Sequence, residues 1–245
     1  MTVASLAMYP FDHLRPSWDQ LWDGVRSRLS FDVPPLDWDL DVEVVSRRDD
    51  LVLGQICGWP LATTMASAVH VVGTFDCDVE GVGEGSYSSV IASPIDAPLD
   101  DILQRADLRA AANSPDSLSG WISLRAVALA HGVAPDSVEW TGAHAKSIVA
   151  MQQGRCHVAS IDAVSWAHLA PHGLYVVGHG PRIPCLPLVT ARSVGLAVRD
   201  ELRTCITDTV ADPSLAEVCA TLKIRRFLER DLADYKSVTQ LLELT

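Results

Sequence analysis

Two hydroxyls, Ser117 and Ser119, stand immediately before a glycine in the run Asn113-Ser114-Pro115-Asp116-Ser117-Leu118-Ser119-Gly120. A helical pattern follows from about Gly120 to Ala130, and serine is a favoured residue at a helix start. The first turn of a helix has N–H groups without intrahelical acceptors and carries the positive end of the helix dipole, so it can receive an oxyanion. Ser117 and Ser119 would add their hydroxyls to those donors. The plainer reading is that the serines only cap the helix.

Thr141-Gly142-Ala143-His144 repeats the arrangement ahead of a second helix, expected from His144 to Gln153. An imidazole there can donate to an anion, and a neighbouring charge would favour its protonated form. The plainer alternative is an exposed first-turn residue. Asp162 ends an expected strand, Cys156 to Ile161, and begins a short helix, where it would act as a cap or accept from a hydroxyl or cationic part of a ligand. Tyr9, Trp59 and Tyr87 fall at strand ends, positions for the walls of a ligand site or for packing.

Other chemistries lack their residues. No G-x-x-x-x-G-K-[ST] loop and no G-x-S-x-G elbow occur. Gly81-Val82-Gly83-Glu84-Gly85 lacks dinucleotide-loop spacing and precedes a strand, so it reads as a tight hairpin or hinge. Pro171 separates His168 from His172, which breaks a shared helical metal face. No catalytic residue, metal or cofactor is expected.

Short apolar runs alternate with amphipathic stretches, the pattern of an α/β protein. Strands are expected at Val3–Met8, Val42–Val45, Leu51–Ile56, Val69–Thr74, Tyr87–Ala92, Leu108–Ala112 and Leu174–Val177. Pro16–Leu29 reads as a helix with Trp18, Leu21, Trp22 and Val25 on one side, and Leu99–Leu103 as a short helix. Gly132 and Gly154 stop the two helices of the middle region. Three helical segments are expected near Thr190–Val210, Ser214–Leu222 and Arg226–Asp231. Ser93-Pro94 and the Pro181–Pro187 cluster mark the ends of an inserted unit. This suggests lobe I from residues 1–92 and 185–245 and lobe II from residues 93–184, with one continuous doubly wound sheet as the alternative.

The chain has 245 residues, 31 acids against 19 Lys and Arg, and a formal net charge of −12. That balance opposes binding to nucleic acid or to anionic lipid, and no apolar run approaches the ~18 residues of a membrane span. The six cysteines form no C-x-x-C pair and are expected as free thiols. No Lys or Arg precedes Arg15, and Val3–Tyr9 reads as a first strand rather than an export signal. The chain as given is therefore expected in the cytoplasm, or in the periplasm if a leader has been removed.

Taken in order, these residues resemble the phosphate, phosphite and phosphonate substrate-binding proteins of ABC transporters. The matching pieces are Ala4-Ser5-Leu6-Ala7-Met8-Tyr9, Leu53-Gly54-Gln55-Ile56-Cys57-Gly58-Trp59-Pro60-Leu61 and Gly85-Ser86-Tyr87-Ser88-Ser89. They continue with Asn113 to Gly120, Thr141 to His144, Gly154, Ile161-Asp162, Trp166 and Pro184-Cys185-Leu186-Pro187. The resemblance implies a two-lobed type 2 periplasmic-binding-protein fold closing a cleft on a small oxyanion. It gives Ser117, Ser119 and the Gly120 backbone to the oxyanion oxygens, adds His144 as a donor, and places aromatics near Tyr9 or Trp59 at the cleft. Asp162 is slightly displaced from the place where aminophosphonate-binding members set an acid against the ligand amine. The function implied is non-catalytic binding of a phosphonate- or phosphate-like oxyanion, with an ABC permease as partner. The alternatives are a cytoplasmic enzyme of the same fold, using His144 and Asp162 as acid and base on a small carboxylate or phosphorylated metabolite, and an interaction protein with a vestigial cleft.

Overall fold

The computed structural model describes residues 2–135 and 137–241. In chain order the first elements are β1 (Val3–Ser5), α1 (Arg15–Arg26), α2 (Val42–Ser46), β2 (Leu51–Gln55), α3 (Gly58–Pro60) and β3 (Val69–Cys77). The middle of the chain forms β4 (Val82–Gly83), β5 (Ser86–Ser93), α4 (Leu99–Leu103), β6 (Ala110–Ala112), α5 (Ser123–Ala130), β7 (Val138–Trp140), α6 (His144–Gln152), β8 (Val158–Ile161), α7 (Ala163–Leu169) and β9 (Tyr175–Pro184). The last segment adds β10 (Pro187–Ala191), α8 (Leu196–Val210), α9 (Ala216–Thr221), β11 (Ile224–Glu229) and α10 (Ser237–Gln240).

These elements divide into two compact units, each with its own sheet. Unit 1 takes Met1–Asp78, Gly83–Gly85 and Pro184–Lys236, and unit 2 takes Val79–Val82, Ser86–Ile183 and the chain from Ser237 on. The outgoing crossing therefore lies at residues 78–86 rather than at the expected 92/93. The reason is pairing: β5 runs antiparallel to β8, with Val90 opposite Ile161, so residues 86–92 belong to the unit 2 sheet.

Unit 1 is a five-stranded mixed sheet in the order β1-β2-β10-β3-β11. On α1, Trp18, Leu21, Trp22 and Val25 form the buried stripe that their spacing predicts. Trp18 meets Phe75 of β3 at a centroid separation of 5.9 Å, and Phe75 meets Phe227 of β11 edge-on at 6.2 Å. A second cluster joins Val45, Leu51, Leu61, Met65, Val71, Val189 and Tyr235. All six cysteines are free thiols, and burial pushes those of Cys156, Cys205 and Cys219 up in pKa.

Three expectations fail in unit 1 for identifiable reasons. Val42–Val45, expected as a strand, is the start of helix α2, because the Asp41 carboxylate accepts from the Glu43 N–H at 2.8 Å and caps a helical turn. Arg226–Asp231, expected as helical, lies largely in strand β11, which pairs antiparallel with β3 from Ile224↔Cys77 to Glu229↔Gly73. That pairing buries Phe227 and sets Arg226 Nε at 2.9 Å from the buried Asp76 carboxylate, overriding local helix propensity. Thr190 and Ala191 belong to strand β10, and helix α8 begins only at Leu196, after Gly195 at φ +97°.

Unit 2 is built on the order β4-β5-β8-β6-β7, with β9 also pairing β5. Strands β6, β7 and β8 are mutually parallel through β6. Strand β6 consists of three buried alanines, Ala110, Ala111 and Ala112. Leu124 of α5 packs with Ala110, Val158 and Ile91, while Ile148, Ala150 and Met151 of α6 pack with Ala111, Ala159 and Ile161. Successive strand residues point to opposite faces, so the two crossover helices cover opposite sides of β6. Strand β9 runs through Pro181 and Pro184, past the expected strand end at Val177; pairing with β5 carries it across residues lacking an N–H.

Gly73 shows how closely β3 and β11 approach. A Cβ there would stand 2.3 Å from Phe227 Cζ and 2.4 Å from the Leu228 carbonyl oxygen. Gly73→Ala is expected to lower unfolding free energy by about 1–3 kcal/mol, read by urea denaturation.

Candidate functional site

Three loops of unit 2 leave the carboxyl ends of parallel strands: Asn113 follows β6, Thr141 follows β7 and Asp162 follows β8. The chain passes from β6 to β7 on one side and then returns across β6 to β8 on the other. In open α/β sheets, ligands bind outside the carboxyl ends at such a reversal of strand order.

Ser117 starts the first helix, its Oγ accepting from the Gly120 N–H at 3.1 Å. The backbone then makes one wide π turn, Leu118–Ile122, with the Ile122 N–H donating to the Ser117 carbonyl, and continues as α5. Ser117 and Ser119 are each only 5% exposed. Ser119 is held twice. Its carbonyl accepts from Ser160 Oγ at 2.6 Å, and its own Oγ lies 3.0 Å from His144 Nε2.

The second helix start is shaped by Thr141 and Gly142. Thr141 Oγ1 lies 2.7 Å from Ser147 Oγ and donates to the carbonyls of Ala112 and Ala143, so this hydroxyl fastens the corner. Gly142, at φ +82°, donates its N–H to the Asn113 carbonyl at 2.9 Å and ties the two loops together. His144 opens α6 and turns its ring back onto Ser119. Asp162, 2% exposed, caps α7 by accepting from the Ser165 N–H at 2.9 Å.

Ser117, Ser119, Gly120, His144 and Asp162 are thus brought together in unit 2. Tyr87 is buried on β5 in the same unit, on the strand face that also carries Ser89 and Ile91. Tyr9 and Trp59 belong to unit 1; Tyr9 is buried in the turn after β1, and the half-buried Trp59 is the middle residue of the short helix α3.

Several polar residues were not among those expected. Asn113 Oδ1 and His144 Nδ1 are buried without a hydrogen-bond partner, as are Ser89 Oγ and Ser123 Oγ. Asn113 Oδ1 presses on Gly120 so closely that a Cβ there would be 1.9 Å away. In unit 1, Ser5 Oγ and Gln55 Oε1 are likewise buried and unpartnered, at the carboxyl ends of the parallel pair β1 and β2. Asn113, Ser5 and Gln55 all lie within runs that carry the family resemblance, but nothing in their spacing distinguishes them from packing residues.

Burial holds the His144 imidazole below its ordinary pKa, and the negative charge of Asp162 opposes the shift. Burial also lowers His157, reinforced by Arg105, and His70, reinforced by Arg192 and Arg199. No hydrogen bond joins Asp162 to His144 Nδ1, so the orienting contact of a Ser–His–Asp relay is missing. Among the described residues, no cluster of three or more His, Cys, Asp or Glu side chains could hold a metal ion.

A family model described as "ABC transporter, phosphonate, periplasmic substrate-binding protein" matches residues 60–235, well over half of the chain. The chain belongs to this family. Its members are solute-binding components of transport systems, so this substrate-binding protein captures a solute rather than turning it over, and the enzyme alternative is set aside. The family is periplasmic, and among the described residues no helix is long and apolar enough to cross a membrane.

The fold has solved counterparts. PhnD1 from Prochlorococcus marinus (MIT 9301), in complex with methylphosphonate, is 15% identical, covers 99% of this chain and 97% of its own, and superposes with a TM-score of 0.73. A binding-protein component of an ABC phosphonate transporter from Pseudomonas aeruginosa is 16% identical over 99% of this chain and 85% of its own, with a TM-score of 0.81. XAC2383 from Xanthomonas citri, bound to ATP, is 13% identical over 100% of both chains, with a TM-score of 0.71. These superpositions show a shared periplasmic-binding-protein fold, in agreement with the α/β type 2 fold expected from the sequence. A search of curated proteins found no significant match.

Gly120→Ala is expected to displace Asn113 and loosen the Ser117 cap, lowering stability by about 1–3 kcal/mol in chemical denaturation. The imidazoles give a second expectation. Their folded pKa values lie below the unfolded value of about 6.5, so the unfolded chain binds more protons once the pH falls through that value. Stability should therefore hold above about pH 6.5 and decline steadily toward pH 5, followed by urea midpoints at fixed ionic strength.

Proposed function

We propose that this substrate-binding protein captures a small phosphonate- or phosphate-like oxyanion at the paired helix starts of unit 2. The observation that carries the reading is the 3.0 Å contact between Ser119 Oγ and His144 Nε2 at the carboxyl ends of β6, β7 and β8. It joins two donor-bearing helix starts, one entering α5 and one opening α6, in a setting of buried polar atoms.

The oxyanion accepts from Ser119 Oγ and from first-turn N–H groups beside Gly120. Ser117 acts one step back, holding the Gly120 N–H and with it the shape of the turn. His144 sets the direction of the Ser119 hydroxyl and supplies a second polar contact, and Asp162 biases the charge of its imidazole. Directed donors in a desolvated setting bind an anion strongly enough to overcome a diffuse net charge of −12. Tyr9 or Trp59 is the aromatic contact that the family resemblance implies, and Tyr87 the one that its place at a strand end suggests. An ABC permease is the partner it implies, with the periplasm as the compartment of work.

Isothermal titration calorimetry against phosphate, phosphite, methylphosphonate, sulfate and small carboxylates tests the reading. Ser119→Ala should weaken binding of the best oxyanion by tenfold or more, about 1.5–3 kcal/mol for a charge-assisted bond, in a variant that still folds and unfolds cooperatively. Unaltered affinity in that variant, or a preference for carboxylates, would count against it.

A further inference from the structure

We propose that the unit 2 site selects an oxyanion that still carries one proton, and that the side-chain oxygen of Asn113 accepts that proton. The inference rests on the proposed capture of an oxyanion at Ser119 and His144, and it specifies the protonation state of the captured species.

The argument starts from an acceptor placed among donors. A fully ionised oxyanion offers only acceptors, and the first turn after Ser117 answers it with N–H and hydroxyl groups. Asn113 Oδ1 contributes nothing to such a ligand. It is nonetheless buried without a partner, pressed against the same turn at Gly120. Leaving a buried acceptor unpaired costs about 1–3 kcal/mol, a cost recovered when a donor arrives. Turning the amide around would press its NH2 group against the Gly120 carbon, which offers no acceptor. The donor that a phosphonyl or phosphoryl group can bring is its own P–OH.

Charge points the same way. From the β8–α7 corner the site meets Asp162, a buried carboxylate. From α6 it meets His144, whose imidazole burial disfavours charging; Lys146 is exposed, with its Nζ lying 3.9 Å from the position of a Cβ on Gly142. The β6 loop carries Asp116, exposed and hydrogen-bonded to Ser114, and Arg125 on α5 is half-buried beyond the first turn. Ser117, Ser119 and His144 make their described side-chain contacts with one another's helix starts and with the neighbouring backbone, not with a Lys or Arg side chain. A doubly charged ligand would meet the Asp162 carboxylate with twice the repulsion that a singly charged one meets. Phosphonate and phosphate retain a proton below their second ionisation, close to neutral pH, whereas sulfate has none to give.

Calorimetry on the full chain from pH 5.5 to 8.5 tests this with methylphosphonate, a fluorinated methylphosphonate of lower second pKa, and sulfate. The expected result is methylphosphonate bound at least about thirtyfold more tightly than sulfate at pH 6. Its dissociation constant should rise about tenfold per pH unit above its second ionisation, and that onset should move down with the fluorinated ligand. Asn113→Ala should compress the preference over sulfate by about tenfold, and Asn113→Asp, which keeps an acceptor, should retain it. An onset that stays fixed for both phosphonates, or sulfate binding as tightly as methylphosphonate, overturns the proton inference while leaving oxyanion capture standing. No binding of any oxyanion at any pH overturns the capture reading and the inference with it. The ligand series in the unsubstituted protein decides the matter even if both Asn113 variants fail to fold.

Discussion

The hydrogen bond between Ser119 Oγ and His144 Nε2 spans 25 positions of sequence and fixes the relation between two helix starts. Neither start would be well placed without the other. Ser119 is the third residue of its capped turn, with a carbonyl already committed to Ser160, so its backbone is held while its hydroxyl meets the His144 ring. His144 follows an extended Ala143 and enters α6 with its ring aimed back at the neighbouring loop. The Gly142 N–H to the Asn113 carbonyl adds a backbone tie between the same two loops. Crossed contacts of this kind hold the two loops in one arrangement, so under the proposed reading the ordering cost on binding is small.

The unsatisfied atoms tell the other half of the story. Buried polar groups in native proteins are nearly all paired, and those that are not call for an explanation. Here Asn113 Oδ1, His144 Nδ1, Ser89 Oγ and Ser123 Oγ fall within one unit, among elements that converge on the Ser117–Ile122 turn. A stability argument alone would have replaced them with apolar side chains. In the proposed reading, the partner of Asn113 Oδ1 is a bound solute rather than another part of the chain.

Much of this was legible in the residues because the signals were local. The α1 stripe of Trp18, Leu21, Trp22 and Val25 needs only a 3.6-residue period. Gly132 and Gly154 adopt φ +72° and φ +68° where helices end, and Ser117 and Asp162 cap helices as their types suggest. What escaped was set at long range. Strand β11 is a strand because β3, some 150 positions earlier, offers it a hydrogen-bonding edge and a carboxylate for Arg226. Asp41 outweighed the alternating valines of α2 through a single side-chain contact. Asn113 could be quoted as part of a motif but not assigned a task, since its meaning depends on having no partner, and a sequence does not show absent contacts.

Strand β6 carries a consequence of its own. With alanine at 110, 111 and 112, it has no side-chain bulk to spare, and helices on both sides rest almost directly on its backbone. Enlarging any of the three would jack one helix away from the sheet and drag its leading turn out of alignment with the other. The tri-alanine ribbon thus acts as a fulcrum that must stay thin, and changes that leave both helices seated are those made at the loop tips.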